Sequence, residues 1–372
     1  MFKVLPPRAE GTRRGGPFKL EPNGANGESP RVADQVKVAV LGVGALGQHH
    51  ARIYRQMAES EEVEFLGVHD PDSKRAKEIA EANGVVTFRS VEMLAGAADA
   101  VSVVTPTSTH FALASQLLRV GCHVLVEKPM TAGGLEAAEL VQLAKDQGCV
   151  LQVGHVERFN PVFEYLQAAA CEPRFIETHR LSPYPARSMD IGVVLDLMIH
   201  DLDIVLAFVR SPLVGVDGTG VAVLSGSEDI ANARLKFENG CVANLTVSRV
   251  SPERLRKIRV FSGGERKSYL SLDYQKQEGY IYRIAGDDAE ESTLWHKLWH
   301  AKDSSVVSEF GGKKIVREPV PIVKDEPLKV ELQHFVQCVR ERQTPRVSGE
   351  SARQSLEVAL EITRQIEALH AG

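Results

Sequence analysis

Two short motifs in this chain hold the residue types that move protons. Glu127-Lys128-Pro129 follows an apolar run, His123-Val-Leu-Val126, and Asp196 and His200 stand four residues apart in a second apolar stretch. A lysine fixed at the end of a strand by a following proline suits the mouth of a nucleotide site. Residues four apart share one face of a helix. Lysine, aspartate and histidine together can take a proton from a hydroxyl while hydride leaves the carbon that bears it. The stretch Val193 to Val205 is apolar around most of a helical circumference, which marks a buried helix. Asp196, His200 and Asp203 cut a polar stripe through it. Such a stripe needs partners or a cavity. It reads as a proton-transfer site, as a satisfied Asp–His pair in a core, or as part of a zinc site. No third ligand with metal spacing accompanies the pair, so no metal is expected.

A second pattern suits phosphate. Gly42-Val-Gly44-Ala45-Leu46-Gly47 follows an apolar strand and opens a helix. The first glycine permits a tight turn, the second lets backbone approach a pyrophosphate, and the third allows close helix–strand packing. Asp70 lies 23 positions after Gly47, at the end of the next strand, where it would meet ribose hydroxyls. The bland alternative is a tight turn and a surface aspartate. A carboxylate there favours NAD over NADP, because it repels a 2′-phosphate; Lys74 and Arg75 pull the other way. Thr105-Pro106-Thr-Ser-Thr-His110 follows the fourth strand, at the sheet edge where ligands bind in open α/β folds. It reads equally as a helix start and as a cofactor contact. Gly154-His155-Val-Glu-Arg158-Phe-Asn160-Pro161 follows the sixth strand. Arg158 is either a clamp for phosphate or carboxylate or an anchor of the domain junction. Asn160-Pro161 has the form of a helix N-cap with proline at the first turn.

The elements that must position these residues divide in two. Residues 36–155 alternate short apolar strands with capped helices, which predicts a parallel sheet covered on both faces. Strands are expected at Val36–Leu41, Val63–Val68, Val85–Phe88, Ala100–Thr105, His123–Val126 and Cys149–Val153. Residues 156–372 are expected to form a second domain. It holds a strand near Phe175 to His179, the helix Val193 to Val209, then strands at Ala231–Phe237, Cys241–Ser248, Arg256–Ser262 and Ser268–Asp273. Glu238-Asn239-Gly240 signals a hairpin, and two helices, about Lys329–Gln343 and Gly349–Leu369, finish the chain. The expected fold class is α/β: a doubly wound parallel sheet followed by an α/β domain with a large, open, mainly antiparallel sheet.

Composition limits the partners. The chain has 372 residues, 43% apolar and 25% charged, with a net charge of −5. That gives no basis for nucleic-acid binding. Five cysteines without a Cys-x-x-Cys pair read as reduced thiols of a cytoplasmic protein. The longest uncharged run, Ala100 to Leu118, is interrupted by the Thr105–His110 loop, so no membrane span is expected. Residues 1–35 are rich in proline and glycine and read as a disordered tail or an early start codon.

The glycine loop, Thr105-Pro106, Glu127-Lys128-Pro129, Arg158-Phe159-x-Pro161 and Asp196-x-x-x-His200, in that order, resemble the Gfo/Idh/MocA oxidoreductase family over about residues 36–370. The resemblance implies NAD(P)-dependent chemistry on sugars, polyols or nucleotide sugars, and packing as homodimers or homotetramers. It places the family's catalytic residues on Lys128, Asp196 and His200. Gly154–Pro161 and Asp190–Asp196 are most similar to the subgroup that oxidises C3 of UDP-N-acetylglucosamine so that a partner aminotransferase can add an amine, for instance in lipid A precursor synthesis. That resemblance implies substrate contacts from His155, Arg158, Asn160, Arg187 and His200, with Arg158, Arg180 and Arg187 as candidate diphosphate anchors. A polyol dehydrogenase is the alternative, and a nonenzymatic cofactor-binding regulator is a third reading.

Overall fold

The computed structural model describes residues 35–169, 172–184, 191–264, 267–284, 305–310 and 313–370. The expected tail, up to residue 34, and Arg187 lie outside the described residues.

Six strands, β1 (Val36–Leu41), β2 (Val63–His69), β3 (Val86–Thr87), β4 (Ala100–Val103), β5 (His123–Glu127) and β6 (Leu151–Gly154), form a parallel sheet. Their order is β3-β2-β1-β4-β5-β6. Every residue of β4, β5 and β6 is buried, as a sheet covered on both faces requires. The covering helices are α1 (Gly47–Glu59), α2 (Ser73–Asn83), α3 (Val91–Ala95), α4 (Thr107–Arg119) and α5 (Gly134–Asp146). The Asp72 side chain caps α2 by accepting from the amides of Lys74 and Arg75, and Gly84, at φ 65°, ends it.

The chain then crosses through a short 3-10 turn, Val156–Phe159, into α6 (Pro161–Ala168). Asn160 caps α6 by accepting from Val162 N at 3.1 Å. A π-turn, Val194–Met198, leads into α7 (Ile199–Val209). The second sheet has nine strands: β7 (Pro173–Leu181), β8 (Leu213–Val221), β9 (Ile230–Phe237), β10 (Val242–Ser248), β11 (Leu255–Ser262), β12 (Ser268–Asp273), β13 (Glu278–Ile284), β14 (Ser305–Phe310) and β15 (Lys313–Pro319). Their order is β14-β15-β13-β12-β11-β7-β10-β9-β8, antiparallel except between β7 and β10. Burial alternates residue by residue along β9, so one face packs inward and the other faces outward. Two helices, α8 (Pro327–Glu341) and α9 (Gly349–His370), complete the described chain.

Two expectations need correction. Strands β8, β13, β14 and β15 were not anticipated. In β8 the glycines that hide a strand pattern let α9 come close: a Cβ at Gly218 would stand 2.9 Å from Ile362 Cγ2. The helix expected over Val193–Val209 begins as a π-turn. Helix α8, from beyond residue 155, returns to the first sheet. There Leu332, Phe335 and Val336 share one buried cluster with Val38, Val40, Ile53 and Tyr54. Apolar burial against the first sheet outweighs chain order. Glu331 on the same helix is fully buried, and neither carboxylate oxygen has a partner among the described residues.

Phe335 is completely buried, so Phe335→Ala should cost about 3–5 kcal/mol. Urea denaturation of the full chain followed by tryptophan-independent far-UV dichroism would check this; a loss below about 1 kcal/mol would mean that α8 does not hold the first sheet.

Candidate active site

The chain leaves β1 and β4 in opposite directions, which opens a crevice beyond their carboxyl ends. The glycine loop lies there. Gly42 has φ +88°, and a Cβ on it would stand 2.4 Å from Val104 O. A Cβ on Gly47 would stand 1.9 Å from Gly42 O, whereas one on Gly44 would meet nothing within 4 Å. The loop is therefore closed against the sheet and open at its middle. Helix α1 starts without a side-chain cap and without an acidic residue in its first turn, which leaves its amides to an anion. Asp70 accepts from Val43 N at 2.8 Å and from Asp72 N at 2.9 Å. A carboxylate has about four lone-pair sites, so acceptor capacity is left for hydroxyls. Arg75 is committed elsewhere: it donates to Val43 O at 3.0 Å and Gln48 Oε1 at 2.8 Å, and it pairs with Glu78. The residues fit a dinucleotide with an unmodified ribose.

Thr105 and Pro106 lie beside this loop, but His110 does not face the crevice. It is buried between the carbonyl oxygens of Thr105, 2.8 Å from Nε2, and Pro129, 2.9 Å from Nδ1. It ties the fourth-strand loop to the cis Lys128–Pro129 peptide and is a positioning residue. Glu127 lies 3.3 Å from His50 Nε2 and accepts from Lys128 N at 3.2 Å.

A cavity of about 1100 Å³ runs from the glycine loop to the second sheet, and Ala45, Leu46, Glu127, Lys128, Asp196 and His200 all line it. Lys128 Nζ donates to Asp196 O at 2.7 Å and to Asp196 Oδ1 at 3.1 Å. The expected Asp196–His200 partnership gives way to this pair. Asp196 sits in the π-turn, whose wider winding shifts it off the regular α-helical stripe. His200 borders the cavity with Nδ1 buried and without a hydrogen-bond partner among the described residues. Burial holds its pKa well below the ordinary histidine value, and the positive charges of Lys128, Arg180 and Arg256 and the ring of His155 add to this. A neutral imidazole is the form that accepts a proton.

The substrate residues are sorted differently from expectation. Arg158 is buried and faces away from the cavity. It donates to Asp203 at 3.3 Å and 3.4 Å and to Arg346 O at 3.2 Å, and it lies over the Phe163 ring. A desolvated guanidinium must have such partners, so it anchors the junction. Asp203, the third member of the stripe, is spent in the same pair. Asn160 is buried, capping α6 and donating to Glu157 Oε2 and Tyr274 O. His155 is buried behind His200, ring centroids 6.3 Å apart. Arg180 borders the cavity, yet Asp201 and Glu157 hold it at 3.0–3.1 Å. Sequence reasoning missed Tyr184, Arg254, Arg256 and Leu328, which also line the cavity. The Arg254-x-Arg256 spacing, two charges on one side of an extended chain, was the available signal. Among the described residues no group of three or more His, Cys, Asp and Glu is placed to hold a metal ion, and no helix is long and apolar enough to cross a membrane.

Two outcomes are expected. Lys128→Met and His200→Ala should each lower kcat by about 10²–10⁴-fold while dinucleotide affinity, measured by calorimetry, is retained; near-normal kcat in both would remove them from the chemistry. Because the pKa of His200 is depressed, its proton-accepting form persists as pH falls through 6.5. The kcat/KM profile for alcohol oxidation should stay flat there and drop only at lower pH. A fall centred on 6.5 would show an ordinary imidazole.

Residues 36–155 match the family model described as "Oxidoreductase family, NAD-binding Rossmann fold", and residues 168–267 match the "GFO/IDH/MocA C-terminal domain". The chain is 35% identical over 334 residues to UDP-N-acetylglucosamine 3-dehydrogenase of Acidithiobacillus ferrooxidans, covering 90% of this chain and 98% of that protein. A solved structure of that enzyme superposes with a TM-score of 0.77 at 34% identity, over 90% of this chain and 98% of the other. The chain is also 27% identical to scyllo-inositol 2-dehydrogenase (NAD(+)) of Bacillus subtilis, covering 88% and 93% of the two chains. Cradle, sheet order and both domain matches agree: this chain is an NAD-dependent oxidoreductase and belongs to the Gfo/Idh/MocA family.

Proposed function

We infer that the protein oxidises the C3 hydroxyl of UDP-N-acetylglucosamine, giving the 3-keto nucleotide sugar. The observation that carries this reading is the 35% identity, spanning 98% of the relative, to an enzyme named for that reaction. The convergence of Lys128 and His200 on one cavity beside the glycine loop supports it. Bound NAD supplies the hydride acceptor, which no side chain provides. Lys128 holds the substrate oxygen through its ammonium, and the backbone and carboxylate of Asp196 aim that ammonium. His200 takes the hydroxyl proton. A buried, neutral imidazole gains a charge in doing so, and the product proton must then leave towards solvent. A partner aminotransferase that consumes the ketone fits this chemistry, as do a homodimeric or homotetrameric assembly and a cytoplasmic setting.

The inositol relative keeps a polyol reading open as the competitor. The deciding experiment incubates the protein with NAD or NADP and UDP-N-acetylglucosamine, free N-acetylglucosamine, myo-inositol or glucose, with an aminotransferase and glutamate coupled in and products read by mass spectrometry. A 3-amino nucleotide sugar formed preferentially with NAD is expected, since Asp70 disfavours a 2′-phosphate. Efficient reduction of NAD by inositol or glucose, with no 3-amino nucleotide sugar, would replace this reading with the polyol one.

A further inference from the structure

Among the described residues, pairing the charges around the cavity leaves Arg254 over and Arg256 with a single long contact. Lys128 is held by Asp196, and Arg180 by Asp201 and Glu157. Arg256 reaches Glu157 Oε1 only at 3.6 Å, shares that oxygen with Arg180, and is 50% exposed. Arg254 is exposed and has neither an ion pair nor a hydrogen bond among the described residues. Both line the cavity. Arg254 immediately precedes β11 and Arg256 is its second residue, and the cavity receives both side chains. Arg256 is also the direct cross-strand neighbour of Arg180. Partial burial and that like charge lower the pKa of the Arg256 guanidinium.

This pair stands on the second sheet, whereas the dinucleotide cradle is built from backbone amides on the first. An anion held here belongs to the other reactant. We propose that Arg254 and Arg256 grip the diphosphate of a nucleotide-linked sugar and so place its sugar ring against Lys128 and His200. Guanidinium groups bind phosphate oxygens two at a time, with direction as well as strength. Arg158 and Arg180 are committed to buried carboxylates, so the role expected of them passes to Arg254 and to Arg256, whose one ion pair is long and half-exposed. This rests on the nucleotide-sugar reading, and it adds which residues distinguish such a substrate from a free polyol.

The test uses the full chain with saturating NADH and titrates UDP by calorimetry, alongside steady-state oxidation of UDP-N-acetylglucosamine. Charge-assisted hydrogen bonds of this kind predict a loss of UDP affinity of about 10- to 100-fold for Arg254→Ala or Arg256→Ala. KM for the nucleotide sugar should rise in parallel, with kcat at saturation within about threefold and NAD affinity unchanged, the pattern of uniform binding. Arg254→Lys should recover part of the loss. Arg254 makes no hydrogen bond or ion pair among the described residues, so its variant reports on binding even if Arg256→Ala unfolds, which a thermal melt would reveal. If the unaltered protein oxidises UDP-N-acetylglucosamine and the variants bind UDP equally well, the anchor assignment is overturned and the substrate reading stands. Equal loss of NAD and UDP affinity also overturns the assignment. If the unaltered protein neither binds UDP nor oxidises the nucleotide sugar, both fall together.

Discussion

The contact on which the site depends is that between the Lys128 ammonium and Asp196, made across the junction of the two sheets. Lys128 comes from the end of β5 and Asp196 from the π-turn before α7, so neither domain alone aims the ammonium. Two acceptors, a carbonyl at 2.7 Å and a carboxylate at 3.1 Å, fix the direction of a side chain that is otherwise a flexible point charge. Both groups are less than one-fifth exposed, which strengthens the attraction over its value in water.

That contact is held in place by other buried ion pairs. Arg158–Asp203 and Arg180–Asp201 link the crossing segment and β7 to α7, within the turn that follows His200. Arg249, fully buried, pairs with Asp229 and donates to Ile191 O at 2.8 Å, just ahead of the π-turn. Removing one member of such a pair leaves the other charged in the interior and costs about 3–5 kcal/mol. The two aspartates that follow His200 in sequence, Asp201 and Asp203, thus hold its helix in place, while His200 Nδ1 has no hydrogen-bond partner among the described residues.

The parallel half was legible because strands buried on both faces leave continuous apolar runs, and because a glycine loop followed by Asp70 has few other uses. Lys128, Asp196 and His200 were also legible as a set, and one cavity receives all three. Their pairing was not, since nothing in Val194–Met198 marks a π-turn. The arginines were misjudged for a related reason. Arg158, Arg180 and Arg254 carry the same charge in sequence, and only the fold decides which of them finds a buried aspartate. The late strands were hidden in β8 by glycines that serve helix packing, and in β13 to β15 by charges on a sheet with one outward face.

The return of α8 to the first sheet has a consequence for the way the chain is made. Residues 36–154 contain every strand of the dinucleotide fold and leave the ribosome long before Pro327–Glu341. Until that helix emerges, the face formed by Val38, Val40 and their neighbours lacks part of its cover. Domains tend to fold as units during synthesis, the N-terminal one first. Here the first unit must wait for almost the last, and a fragment cut at the apparent boundary would carry the glycine loop on an incomplete core.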